Sequence, residues 1–65
     1  MFYYVAMHNA GKSYLLAGPY AEESRAEAAK DAARAKACEI DGYNHLHTYS
    51  LARSEVEQKT AFGII

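Results

Sequence analysis

The chain has 65 residues, seven Lys plus Arg against eight Asp plus Glu, and a formal net charge of -1. That length excludes two independent cores, and charged residues at 23% beside apolar residues spread along the chain argue against disorder. The near-neutral balance argues against a strongly basic nucleic-acid binder and against a strongly acidic DNA mimic.

The first segment, Phe2-Tyr3-Tyr4-Val5-Ala6-Met7-His8, is rich in aromatic and branched residues and predicts a strand. It lies in an uncharged run, Met1 to Gly11, which is too short to span a bilayer. No Lys or Arg precedes that run, so it does not have the form of a signal peptide, and a soluble cytoplasmic protein is expected. Asn9-Ala10-Gly11-Lys12 supplies turn chemistry, with Gly11 suited to positive φ. Ser13 to Gly18 is the expected return strand. With His8 facing Ser13, one face carries Tyr3, Val5, Met7, Tyr14 and Leu16. The other carries Phe2, Tyr4, Ala6, His8, Leu15 and Ala17.

Gly18-Pro19 ends the second strand. A helix follows, starting either at the capping-box pattern Ser24-Arg25-Ala26-Glu27 or earlier, near Ala21. It is expected to run to about Ile40 and to stop at Asp41-Gly42 in a left-handed turn. On a wheel of ~100° per residue, Ala26, Ala29, Ala33, Ala37 and Ile40 form one stripe. Alanine has no bulk, so the helix can lie close to a sheet that supplies the large side chains. Tyr43 to Leu51 is the expected third strand, Arg53-Ser54-Glu55 a turn, and Val56 to Phe62 either a fourth, edge strand or, from Ser54, a short helix. The fold class is therefore α+β: a three- or four-stranded, mostly antiparallel sheet in one domain (residues 1–65), with one helix on one face and the third strand beside the first.

Several residues could carry function. His45 and His47 project from one face of a strand, as some metal sites begin, but no further ligand motif of known spacing accompanies them. Cys38 is the only cysteine, which excludes an internal disulfide and suggests a reducing compartment. On the wheel it lies near Glu27 and Asp31, and neighbouring acids suppress thiolate. Glu23, Glu27 and Asp31, spaced i, i+4, i+8, form an acidic row: a solvated helix face or a docking row for a basic protein surface. Ala28, Ala32 and Ala35 lie away from the core stripe, as good helix formers or as a flat row that another helix could approach.

The sheet face without a helix is the most informative feature. Phe2, Tyr4 and Leu15 fall on it, and Tyr43, His45, His47 and Tyr49 are candidates to join them. An exposed aromatic patch on a small protein marks an interface, unless a partner subunit or the tail Ala61-Phe62-Gly63-Ile64-Ile65 covers it. Nucleic-acid-binding sheets add basic residues around such aromatics, whereas only Lys12, Arg53 and Lys59 lie outside the helix here. No phosphate loop, nucleophile elbow or paired metal motif is present, so no enzyme activity, cofactor or metal is expected.

The run Tyr14-Leu15-Leu16-Ala17-Gly18-Pro19-Tyr20, followed by an acidic alanine-rich helix, resembles small proteins of bacteriophages and mobile elements. Asp41 and the closing Lys59-Thr60-Ala61-Phe62-Gly63 are similar to the same pattern. Proteins of this size and style include anti-CRISPR inhibitors, which bind bacterial defence complexes and block target recognition or cleavage. The resemblance implies a protein that inhibits a host protein complex, a CRISPR effector among the candidates, by direct protein docking. The expected contact residues are Phe2, Tyr4, Leu15, Tyr43, His45 and Tyr49 on the sheet and Glu23, Glu27 and Asp31 on the helix. Two alternatives stand beside this: a nucleic-acid-binding or regulatory module, which needs Lys30, Arg34, Lys36 and Arg53 in one patch, and a homodimeric structural or adaptor protein.

Overall fold

A computed structural model describes all residues, Met1–Ile65. The first two strands, β1 (Phe2–Asn9) and β2 (Lys12–Tyr20), form a hairpin in which His8 pairs with Ser13, as the turn residues predict. The two central turn residues, Ala10 at φ 51° and Gly11 at φ 80°, both have the positive φ that matches a two-residue hairpin to strand twist. The helix α1 (Glu23–Ile40) follows, then a 3₁₀ helix (Gly42–Leu46) and strand β3 (Thr48–Ser54). The sheet is antiparallel in the order β2-β1-β3, so β3 lies beside β1 as expected, and the fold is α+β.

Two bulges in β2 alter the expected faces. Ala17 pairs with Val5 and Leu15 with Ala6, so Leu16 is an extra residue opposite Val5. Leu16 and Ala17 both join the core under α1, whereas strict alternation puts Ala17 on the far side. The second bulge carries Gly18 and Pro19, joined by a cis peptide bond, past Tyr4.

The core stripe of α1 is Ala26, Ala29, Ala33 and Ala37, packed on Val5, Met7, Leu16, Ala17 and Tyr20. Small helix residues against large sheet residues let the two layers approach closely, and Tyr3, Tyr49, Leu51 and Phe62 close the periphery. Ile40 does not belong to the stripe. The last helical turn overruns the core, whose final helical member is Ala37, and Ile40 is exposed. The helix begins at Glu23, between the two expected starts, and Ser24 is not its cap. Glu22 occupies the cap position, with its carbonyl accepting from the Arg25 and Ala26 N–H groups and no side-chain cap bond. Buried Tyr20 anchors the chain just before this start.

The stop at Asp41 is extended (φ -149°) rather than left-handed. The Asp41 carboxylate accepts the Tyr43 N–H at 3.0 Å, and the Asn44 side-chain amide donates to the Ala37 carbonyl at 2.7 Å. These side-chain bonds wind residues 42–46 into a 3₁₀ helix, although Tyr43 to His47 alternate as a strand does. The third strand therefore starts at Thr48, and Arg53 and Ser54 are strand rather than turn.

No fourth strand forms. Residues 55–65 make a strap that leaves the end of β3 and crosses the sheet face opposite α1. The Gln58 N–H donates to the Tyr4 hydroxyl at 2.8 Å, which in turn faces the Val56 carbonyl at 3.4 Å. The strap then follows the outer edge of β2: Ala61 and Phe62 N–H groups donate to the Leu15 and Leu16 carbonyls, and Gly18 N–H donates to the Gly63 carbonyl. Past that edge, Phe62 packs against the core, Lys36 of α1 lies 5.1 Å from its ring centroid, and Ile65 exchanges two backbone bonds with the Tyr20 hydroxyl.

Candidate functional site

The strap decides where a functional surface can lie. Tyr4, expected on an open aromatic face, is fully buried. Phe2 and Leu15 share its face and are half-buried, opposite Ser54 and Ala6 respectively. Tyr49 is not on that face. It pairs with Met7 on the helix side, its hydroxyl donates to the Asn44 carbonyl at 2.6 Å, and the Arg34 guanidinium lies 5.8 Å from its ring centroid. Tyr43 and His45 are not on the sheet at all but in the 3₁₀ helix, both exposed. The expected aromatic patch is thus split three ways, with one part closed by the strap.

A different apolar surface results. Ile40, Tyr43 and Leu46 are 70%, 74% and 71% exposed. A 3₁₀ helix has three residues per turn, so Tyr43 and Leu46 stand on one side, one above the other. Ile40 sits three residues earlier, at the end of α1. Three large apolar side chains are therefore exposed within seven residues, in a segment that also carries the exposed acids Glu39 and Asp41. Sequence periodicity hides it, because the same residues satisfy a strand pattern and a helix stripe. The Asx-turn signal of Asp41 two residues before Tyr43 is what could reveal it.

Glu23, Glu27 and Asp31 are exposed along α1, and Glu27 meets Lys30 at 3.7 Å in the one ion pair of the molecule. Lys36 stands apart from the other bases that a nucleic-acid patch needs: Lys30 and Arg34, four residues apart, share one side of α1. Arg34 lies over Tyr49 on the β3 side, Lys36 over Phe62 on the strap side, and Lys30 pairs with Glu27. No three His, Cys, Asp or Glu side chains converge on a metal-sized site. His45 Nδ1 faces the Gly42 carbonyl and His47 Nδ1 the Met7 sulfur at 3.3 Å. At the hairpin end, His8 bridges all three strands, with Nδ1 2.7 Å from Ser13 Oγ and Nε2 2.6 Å from Ser50 Oγ. A hydroxyl both donates and accepts, so this chain is satisfied in either imidazole tautomer. Ser50 reaches His8 because β3 pairs with β1 from Thr48, opposite His8, a register that no turn in the sequence specifies.

Ala28 and Ala32 are exposed and, with Ala29, form the floor of an open groove of about 670 Å³. Pro19, Tyr20, Ile64 and Ile65 wall it, and Glu22 and Arg25 stand at its rim.

Burial raises the Tyr49 hydroxyl above its ordinary pKa of 10.0, and the nearby Cys38 thiol, half-buried, adds to the shift while Arg34 opposes it. A folded-state pKa raised in this way favours the neutral phenol in the native state. Its contribution is complete below pH 10 and is lost as the pH rises through the folded value. Stability is expected to fall on the alkaline side, and Tyr49→Phe should flatten that limb in urea titrations between neutral and alkaline pH.

No helix is long and apolar enough to cross a membrane. No protein-family model, curated protein or solved structure matches the chain.

Proposed function

We propose that the protein binds and inhibits a host protein complex, using Ile40, Tyr43 and Leu46 as its apolar anchor. The observation that supports this is the exposure of those three side chains within seven residues, in a chain that otherwise folds a strap over its spare aromatic face. Large apolar groups left in water cost free energy, and a partner that covers them recovers it. Glu39 and Asp41 flank the anchor, and Glu23, Glu27 and Asp31 extend negative charge along the helix, which suits a partner with a basic rim and speeds its approach. The likeness to phage and mobile-element proteins makes a bacterial defence complex, such as a CRISPR effector, the partner class, and the host cytoplasm the location. Lys36 lies over Phe62, away from Arg34 over Tyr49, and Lys30 is paired with Glu27 in a helix that also exposes Glu23 and Asp31, which weighs against nucleic acid.

The test is a pull-down from host lysate with the tagged protein and with a Tyr43→Asp, Leu46→Asp double variant. Both positions are exposed, so circular dichroism should show the fold unchanged. The expected result is one stoichiometric complex retained by the native protein, with affinity reduced roughly 30-fold or more in the variant, as for an interface hot spot. Equal retention by the variant would remove the anchor from the mechanism.

A further inference from the structure

We infer that β3 is the docking edge for a second copy of this chain, the two β3 strands pairing antiparallel about Leu51 to make one six-stranded sheet. The two edges of the sheet are treated differently. The β2 edge carries two bulges, Pro19 and the strap, which occupies the backbone groups of Leu15, Leu16 and Gly18. The β3 edge has none of these. Its seven residues pair with β1 without a register shift, it contains no proline, and Arg53 is its only charge. A straight edge with unpaired backbone groups is a template for another strand, and proteins that do not use such an edge blunt it.

The side chains favour an identical strand. With Leu51 on a two-fold axis, it meets Leu51 of the second copy. Tyr49 then faces Arg53 of the second copy, and Arg53 faces the second Tyr49. On the other side of the sheet, Ser50 faces Ala52 and Thr48 faces Ser54. No like charges stand opposite each other, and each guanidinium is set beside an aromatic ring. Tyr49 and Leu51 are only half-buried, at the rim of the core. A small pocket of about 160 Å³, lined by Tyr3, Glu23, Leu51 and Arg53, opens along this edge where the second Tyr49 arrives. The contact is isologous, so it closes at two copies and hides both free edges. It is separate from the apolar anchor at residues 40–46 and does not depend on it.

The experiment combines the solution mass of the native protein with single-cysteine cross-linking in a Cys38→Ser background. Light scattering over a concentration series should rise from the 7.2 kDa chain mass to twice that value. Leu51→Cys should form an inter-chain disulfide under mild oxidation, because directly opposed residues in an antiparallel pair have Cα atoms about 4.5–5.5 Å apart. Arg53→Cys should not, since two Arg53 positions are separated by four residues along the pair, about 14 Å. Circular dichroism checks that both variants are folded, and the native mass keeps the proposal testable if Leu51→Cys is not. A monomer mass at the highest soluble concentration would overturn the proposal. So would a dimer in which a folded Leu51→Cys fails to cross-link, or in which Arg53→Cys cross-links equally well.

Discussion

Replacing Gly18 with alanine is expected to leave much of the protein unfolded. A Cβ at this position would stand 2.7 Å from the Tyr4 ring and 2.8 Å from the Tyr3 carbonyl oxygen, closer than atoms pack. Neither neighbour can yield cheaply. Tyr3 oxygen is backbone inside the sheet, and the Tyr4 ring is fully buried with its hydroxyl held by the strap. Gly18 itself is fixed by the bond from its N–H to Gly63 and by the Thr60 hydroxyl donating to its carbonyl at 3.1 Å. Its φ of +127° is also one that side-chain-bearing residues rarely adopt. Backbone strain of about 1–3 kcal/mol and overpacking of about the same size add to roughly 2–6 kcal/mol. A chain of this length has about 3–10 kcal/mol in total. Gly42→Ala is the control, because nothing lies within 4 Å of a Cβ there. Urea unfolding followed by circular dichroism should show a collapsed midpoint for Gly18→Ala and a shift within about 0.5 kcal/mol for Gly42→Ala. Native-like stability in Gly18→Ala would mean that the second bulge does not press against Tyr4.

The elements that local pattern specifies were legible. Gly11 and the turn around it set the hairpin register through His8 and Ser13, and the alanine spacing located the helix face that packs on Val5 and Met7. The rest is decided by side chains that bond backbone, which hydrophobic pattern does not read. The period-two pattern from Tyr43 to His47 says strand, yet Asp41 takes the Tyr43 N–H and the Asn44 amide ties the segment back to the Ala37 carbonyl of α1, so it winds into a 3₁₀ helix. That single event moves Tyr43 and His45 off the sheet and delays β3 to Thr48. It also leaves Tyr49 on the helix side, because the register of β3 is set against Met7 and not by the preceding turn. The strap was equally out of reach of local reasoning. It is held by two tyrosine hydroxyls that bond backbone 54 and 45 residues away, at Gln58 and Ile65. Pattern leaves this face open as an aromatic interface, or covered by a partner subunit or residues 61–65, whereas residues 56–58 lie over Tyr4 and residues 61–65 pass on to the β2 edge and the helix.

Tyrosines of this chain should respond to truncation in opposite ways. Tyr4→Ala is expected to cost about 3–5 kcal/mol, the usual loss for a fully buried aromatic ring, while Tyr43→Ala should change stability by less than about 0.5 kcal/mol. The first removes a ring with no exposed surface, and the second removes one that is 74% in water. Tyr4→Phe separates the ring from the hydroxyl. It keeps the packing and deletes the acceptor for the Gln58 N–H, a bond worth about 0.5–1.5 kcal/mol. Gln58 is exposed, so water can replace that acceptor, and the effect should fall on the strap rather than on the whole domain. Trypsin reads this directly, because Lys59 is exposed within the strap. Cleavage after Lys59 should accelerate in Tyr4→Phe while the urea midpoint moves only slightly. If Tyr4→Ala kept native stability, or if Tyr4→Phe left cleavage at Lys59 unchanged, the strap would not be anchored on this hydroxyl. The same contrast governs how binding experiments are read: a loss of partner binding in Tyr4→Ala reports unfolding, and only exposed positions such as Tyr43 and Leu46 report the contact itself.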